Sequence, residues 1–546
     1  TRDIWTYNTK SKAHKMITSF EGEDRQPIYS IDEKSLYYLS EESGSFNVHK
    51  LSLTNPSQNT QLTNFNLHPV RFLSMGNGTL SFGYDGELYT MKEGEQPKKV
   101  NVNIRTQEKS NSDKFITING GVQEMAVHPN GKEIAFVARG EVFVTSIDGS
   151  LTKRITNTPE TERFITFTPD GKSLVYSSER NGKWSIYKSE KVREEEPFFF
   201  ASTLLKEEAI IETKEDNYLP EYSPDGKKLA YIAGRRTLRI QDVESGNTVD
   251  LLSPEDLFHM RDGDKYFTWS PDSKWLLVDW NKLLNNSEVL LLSADGKDVY
   301  AMFFDQDAWD KFRMSKEDYE LMQEIEKANK KEEESEDKKE DEKKDEKKEE
   351  VKSLEFDWDG MKDRKAKLTI HSSNLSDATL SKDGEKLYYL SRFEGRYDLW
   401  ETELRTRDTK KLIGLNTGGG SLVWDKKMEN LYLLSSGRIS KVNLSGGSTK
   451  GISISGEMEY DADKERLQMF EHVYIRTKNI FYEPTFHGND WDMLYKEYQK
   501  YIPHTSNGYE FAEVLSEMLG ELNVSHAGAG YGSNIENGDA TASLGI

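Results

Sequence analysis

Cysteine is missing from all 546 residues. Disulfides, thiolate metal ligands and cysteine nucleophiles are thereby excluded. The compartment stays undecided, since a cysteine-free chain suits a reducing cytosol and is not forbidden an oxidising periplasm. Long apolar runs are missing too: nothing approaches the roughly 18 consecutive apolar residues that mark a membrane-spanning helix. Positive charge is in short supply. Lys and Arg number 73 against 95 Asp and Glu, a formal net charge of −22, whereas a polyphosphate partner selects a basic face, so nucleic acid is not an expected ligand. No Met begins the chain, and TRDIWTYNTK reads as mid-domain strand rather than as a secretion signal. A front end cut short is the expectation.

What is present is aromatic and repetitive. Tyr (26), Phe (24) and Trp (10) fall in short alternating runs between turn residues, the pattern of an all-β chain. One grammar recurs: SIDEKSLYYLS from Ser30, HPNGKEIAFVA from His128, TPDGKSLVYSS from Thr168, SPDGKKLAYIA from Ser223, SPDSKWLLVDW from Ser270, SKDGEKLYYLS from Ser381 and the weaker DKKMENLYLLS from Asp425. In the fullest copies, those from Thr168 and Ser223, Pro presets φ, Asp bonds local backbone and Gly takes a left-handed position before a strand begins. A second strand follows, as in GEVFVTSID or YDLWETEL. Repeats spaced by 40 to 55 residues match four-stranded propeller blades.

Two propellers fit the series better than one. Blades near Ser30 and Ser74 precede NVNIRTQEKSNSD, which lacks the repeat, and a new series starts at Phe115. The 111 residues between Ser270 and Ser381 are abnormal. They hold a helical pattern from Trp309 to Ala328 and then KKEEESEDKKEDEKKDEKKEE, a run that cannot bury apolar area and reads as a disordered or solvated surface insertion. After about Tyr460 the period changes. Leu467, Phe470, Val473, Tyr474 and Ile480 recur at near-helical spacing, Asn489 or Asp490 offers an N-cap, Pro503 a stop, and Phe511, Val514, Leu515, Met518, Leu519 and Leu522 form a second stripe. The expected fold is therefore mainly β, two propellers followed by a small α-containing region. The expected domains are 1–104, 105–460 with an insertion at about 326–352, and 461–546.

The second stripe runs into NVSHAGAGYG, where Ser525 and His526 meet a glycine-rich stretch. Imidazole, with an ordinary pKa near 6.5, can take and return a proton at neutral pH. On spacing alone, a packing or capping histidine beside a turn serine is the simpler reading. Adjacent strand residues face opposite ways, so a shared site for both requires a bend, expected at Gly528 and Gly530. Other candidates are weaker. His487 reads as ordering a loop, no HExxH or paired-His spacing suggests a metal, and Asp305, Asp307 and Asp310 lack a calcium-loop pattern. Gly418 to Gly420 lacks the Lys and helix of a phosphate loop, and Arg235 and Arg236 read as solvent-facing.

FHGNDWDMLYKEYQKYIP and the helix through EMLGELNVSH, together with ARGEVFVTSIDGSLTKRITNTP, resemble the tricorn-type proteases with their C-terminal-processing-protease core. The resemblance covers nearly the whole chain. It implies a six-bladed propeller present only in its last blades and a seven-bladed one with a blade absent near LSADGKDVYAMFF. It further implies a first core subdomain without the PDZ domain and second core subdomain that complete the family plan. It implies a serine peptidase acting on oligopeptides, with propellers gating or channelling substrate, and it gives His526 the role of base and Ser525 that of a residue orienting it. A later Glu would help to orient the base, and the nucleophilic serine and the main oxyanion donors would lie in the second core subdomain. No cofactor and no metal are implied. Peptide substrates and a homo-oligomer are, with a cytoplasmic location or, the front end being missing, a periplasmic one. The rival expectation is a non-catalytic propeller that binds peptide or protein.

Overall fold

A computed structural model describes residues 2–55, 57–102, 112–222, 226–234, 237–252, 289–294, 297–303, 306–337, 360 and 363–532. The chain divides into two units, Thr1–Lys109 and Ser110–Ile546. The expected boundary at 104 and 105 lies outside the described residues, as do the Ser270 turn, Arg235, Arg236 and Asp305.

In the first unit two four-stranded antiparallel sheets, Asp24–Tyr29 to Asn59–Gln61 and Arg71–Gly76 to Lys98–Lys99, accompany a two-stranded ribbon of Trp5–Tyr7 with His14–Met16. Leu39, Val48, Leu73, Leu80 and Phe82 fill the space between the two larger sheets.

The second unit repeats the same sheet five times among its described residues, over Val122–Arg154, Glu162–Ile211, Asn217–Leu252, Leu375–Thr417 and Gly420–Gly451. Between the first and second strands lies the turn read from sequence, described in four of the five repeats. At Thr168 the Asp170 carboxylate accepts from Lys172 N at 3.0 Å, and Gly171 takes φ +70°. Where the glycine is replaced, as by Glu33 and Met428, the left-handed conformation persists at φ +57° and +52°. Strands Glu133–Ala138 and Glu141–Ser146 are buried at every position, because a neighbouring sheet covers each face, and so they read as apolar runs rather than alternations.

First strands touch first strands around the series: Val122–Val127 meets Glu162–Phe167, which meets Asn217–Tyr222, and Leu375–Leu380 meets Gly420–Trp424, which returns to Val122–Val127. Phe136 and Phe143 of the first sheet share a core with Tyr432, Leu434 and Ile439 of the last. Gly121 and Gly437 let the two backbones meet, since a side chain on Gly437 would lie 3.1 Å from Gly121. A series of radial sheets whose last member closes on its first is a β-propeller.

Cross-sheet bonds repeat as well. An acidic or amide side chain on one innermost strand accepts a main-chain N–H from the next blade. The pairs are Gln26 with Leu73 at 3.0 Å in the first unit, and Glu124 with Phe164 at 2.5 Å and Asp377 with Leu422 at 2.7 Å in the second.

One sheet departs from the pattern. Val289–Ala294, Asp298–Phe303 and Lys365–Lys367 form three strands, the first two paired directly as a hairpin. Helices Gln306–Arg313 and Lys316–Asp337 are inserted between the second and third, covering the expected helical stretch. The charged run is helical as far as Asp337, and residues 338–350 lie outside the described ones. Arg405 anchors this insertion: its guanidinium donates to the carbonyls of Lys311 and Met314, pairs with Glu385 and stacks 3.6 Å from the Tyr319 ring centroid. Among the described residues no helix is long and apolar enough to cross a membrane.

Strand Asp113–Ile118 pairs with Gly456–Asp461, and Asp461 then caps a helix, its carboxylate accepting from Asp463 N and Lys464 N. Helices Ala462–Ile480, Trp491–Gln499 and Gly508–Gly520 enclose a core of Phe470, Trp491, Leu494, Phe511, Leu515 and Met518. Two expected core members, Leu467 and Ile480, are 40 % and 52 % exposed. They stand on the flank of the helix, away from the face that Phe470 centres, so periodicity placed them near the stripe but not within it.

Candidate functional site

The three helices prepare one turn. Asp490, of the two capping candidates, caps Trp491–Gln499 by accepting from Met493 N at 2.9 Å, while Asn489 donates to Glu521 O at 2.6 Å. Tyr498 OH reaches the Glu521 carboxylate at 2.9 Å, so the end of Gly508–Gly520 is held from two sides. Pro503 lies in a short 3-10 turn, Ile502–His504, just beyond the second helix. Leu522 is buried and Val524 packs on the same core. The chain then turns outward: Asn523 takes φ +52° and His526 φ +65°.

Both Ser525 and His526 are exposed, and neither has a hydrogen-bond partner among the described residues. The reversal that was expected at Gly528 and Gly530 occurs earlier. Neither glycine has positive φ; the left-handed positions are taken by Asn and His, two residue types that tolerate that region better than most. Their left-handed tolerance was readable, but the conspicuous glycines drew the reading downstream.

After the turn the chain returns along the helix it left. Ser516 Oγ donates to Ala529 O and accepts from Ala529 N, both at 2.8 Å, and the Tyr531 ring lies over Gly508 and edge-on to Tyr509 at 4.9 Å. Sequence reasoning missed Ser516, for which the only signal was a lone serine within an apolar helical stripe. His487, expected to order a loop, bonds Tyr482 OH through Nε2 at 2.8 Å, in left-handed backbone at φ +55°.

A second set of residues joins these helices to the propeller. Arg139 pairs with Glu465 at 2.7 Å, Gln468 donates to Glu179 O at 3.2 Å, and His472 Nδ1 lies 2.6 Å from Glu179 Oε2. Burial pushes the Glu465 and Glu471 carboxyls up. Between the first two blades Glu162 is wholly buried; desolvation and the neighbouring Glu141 raise its carboxyl to about 8 despite bonds from Ser178 and Thr158.

Within the first unit a cleft of about 960 Å³ opens beside Arg2, Trp5, Arg25, Phe46, Arg71 and Phe72. It contains neither Ser525 nor His526. Within the second unit, no group of described His and acidic side chains converges as a metal cage would require.

The family described as the tricorn protease C1 domain matches residues 462–520, from the first residue of the first of these helices to the last residue of the third. The chain is thus similar to the tricorn proteases, with that family's C1 domain recognised over these three helices. A tricorn protease homolog of Saccharolobus solfataricus is 22 % identical over 576 residues, 96 % of this chain and 50 % of that protein. A putative tricorn-like protease C-terminal subunit of Sulfurisphaera tokodaii is 22 % identical over 90 % of this chain and 58 % of its own length. The crystal structure of the tricorn protease superposes with a TM-score of 0.63 at 12 % identity, over 97 % of this chain and 53 % of that one, which supports the tricorn fold. The chain thus spans a little over half the length of the tricorn relatives it matches. Ser525 and His526 fall just past the end of the matched C1 domain.

Proposed function

We propose that this chain forms the base-bearing part of a tricorn-type serine peptidase that cleaves oligopeptides. The observation that carries the reading is the His526 turn: an exposed imidazole with no described partner, presented by backbone fixed at Leu522 and Ala529 directly after a C1 domain. One imidazole nitrogen accepts the proton of a serine hydroxyl as its oxygen attacks the scissile carbonyl carbon. That proton passes to the amine nitrogen as the C–N bond breaks, and water repeats the sequence on the acyl ester. By the family plan, the serine belongs to a second core subdomain and Ser525 orients the base. The two propellers gate or channel peptide, and subunits associate into a homo-oligomer, in the cytoplasm on the family pattern.

The test is peptidase activity of the full-length protein on a fluorogenic peptide, with His526→Ala beside it. The reading predicts activity that the substitution abolishes. Saturable peptide binding without turnover by the full-length protein would support instead the rival, a non-catalytic binding propeller.

A further inference from the structure

If His526 is the base, its ring must be held where a hydroxyl can reach it, and nothing bonds the ring itself among the described residues. The holding must be done through the backbone. On the upstream side Glu521 is pinned by Asn489 and Tyr498, and Leu522 is buried. On the downstream side the described side-chain bond is that of Ser516, whose hydroxyl takes both main-chain polar groups of Ala529 at 2.8 Å each. Two residues separate Ala529 from His526, and the positions on either side of the clamp, Gly528 and Gly530, have no side chain to pack: nothing lies within 4 Å of a Cβ built on Gly530, and only Ser516 Oγ, at 3.7 Å, near one on Gly528. A glycine-rich segment loses much conformational freedom on ordering. His526 itself occupies a left-handed conformation that the surroundings must enforce.

We infer that Ser516 is a positioning residue for the base, fixing the His526 turn by clamping Ala529 to helix Gly508–Gly520. This rests on the role proposed for His526. The hydroxyl makes both bonds at once, donating to the carbonyl and accepting from the amide, which is why the site takes a hydroxyl side chain. Alanine can do neither. Threonine keeps the oxygen, and its second γ-substituent is tolerated on a partly exposed helical face.

Two measurements test it. In the 546-residue chain, amide exchange of Ala529 should be protected in the parent and in Ser516→Thr and fast in Ser516→Ala, with helix Gly508–Gly520 still protected in all three. In the full-length protein, Ser516→Ala should lower kcat roughly 10- to 100-fold, the scale of an ångström-level misplacement of a reacting group, with KM little changed and Ser516→Thr restoring the rate. Unchanged Ala529 exchange in Ser516→Ala overturns the clamp, and lost protection with unchanged kcat overturns the positioning role. A fully active His526→Ala control would instead overturn the proposed function, and the positioning role with it.

Discussion

Acidification should weaken the second propeller through one buried histidine. His128 opens its repeat and is 5 % exposed. Its Nδ1 accepts from Asn130 N at 3.0 Å, so the proton sits on Nε2 and is donated to Gly171 O, 2.9 Å away in the turn of the next blade. Phe167 and Phe199 flank the ring, Glu133 lies 3.9 Å from Nε2, and Lys191 and Asp170 add opposed charges. Burial is the largest influence and lowers the imidazole from 6.5 to about 4. The unfolded chain therefore binds a proton at this site below pH 6.5, while the folded chain does not until about pH 4. The stability that neutral His128 contributes is complete above pH 6.5 and is lost as pH falls toward 4, roughly 3 kcal/mol in all and about 2 kcal/mol by pH 5.

Glu162 opposes this. With its carboxyl raised to about 8, its contribution is present at low pH and is lost as pH rises through that value, so the total profile mixes both signs. A difference measurement isolates the histidine. Urea unfolding of the parent and of His128→Gln, followed by tryptophan fluorescence at pH 7 and pH 5, should show the stability gap between them shrinking by about 2 kcal/mol on acidification. Parallel pH profiles for the two proteins would refute the reasoning.

Four further outcomes are expected. Glu162→Gln should flatten the loss of stability between pH 4.5 and 8, read from thermal midpoints across that range. Gly182→Ala places a Cβ 2.3 Å from Ile475 Cδ1 at a position with φ +71°, and should destabilise the protein by about 1–3 kcal/mol while raising protease sensitivity after Tyr460. Removing the helix cap with Asp461→Ala should cost about 1 kcal/mol in a urea titration. Met518→Ala, at a fully buried position among Phe470, Trp491 and Leu515, should cost about 2–5 kcal/mol by the same assay.

The blades were legible in the sequence because each repeats a local rule. Asp170 and Gly171 need only their own turn to act, and the buried strands after them are marked by apolar runs. What joins blade to blade was not legible. His128 reaches Gly171 across 43 residues and Glu124 reaches Phe164 across 40, and no local period encodes such a pair. The same distinction holds at the helices: Phe470, Phe511 and Met518 were readable from the 3.6-residue period, whereas Glu179 with His472, 293 residues apart, was not. Ser525 and His526 were singled out by chemistry and resemblance together, but the device that shapes their turn involves Ser516, thirteen residues from the Ala529 it holds.

The most direct test of the account is the rate at which full-length protein hydrolyses a fluorogenic oligopeptide before and after His526→Ala, at matched folding by circular dichroism. Loss of turnover with peptide binding retained is the predicted result. Equal turnover in both proteins would contradict it.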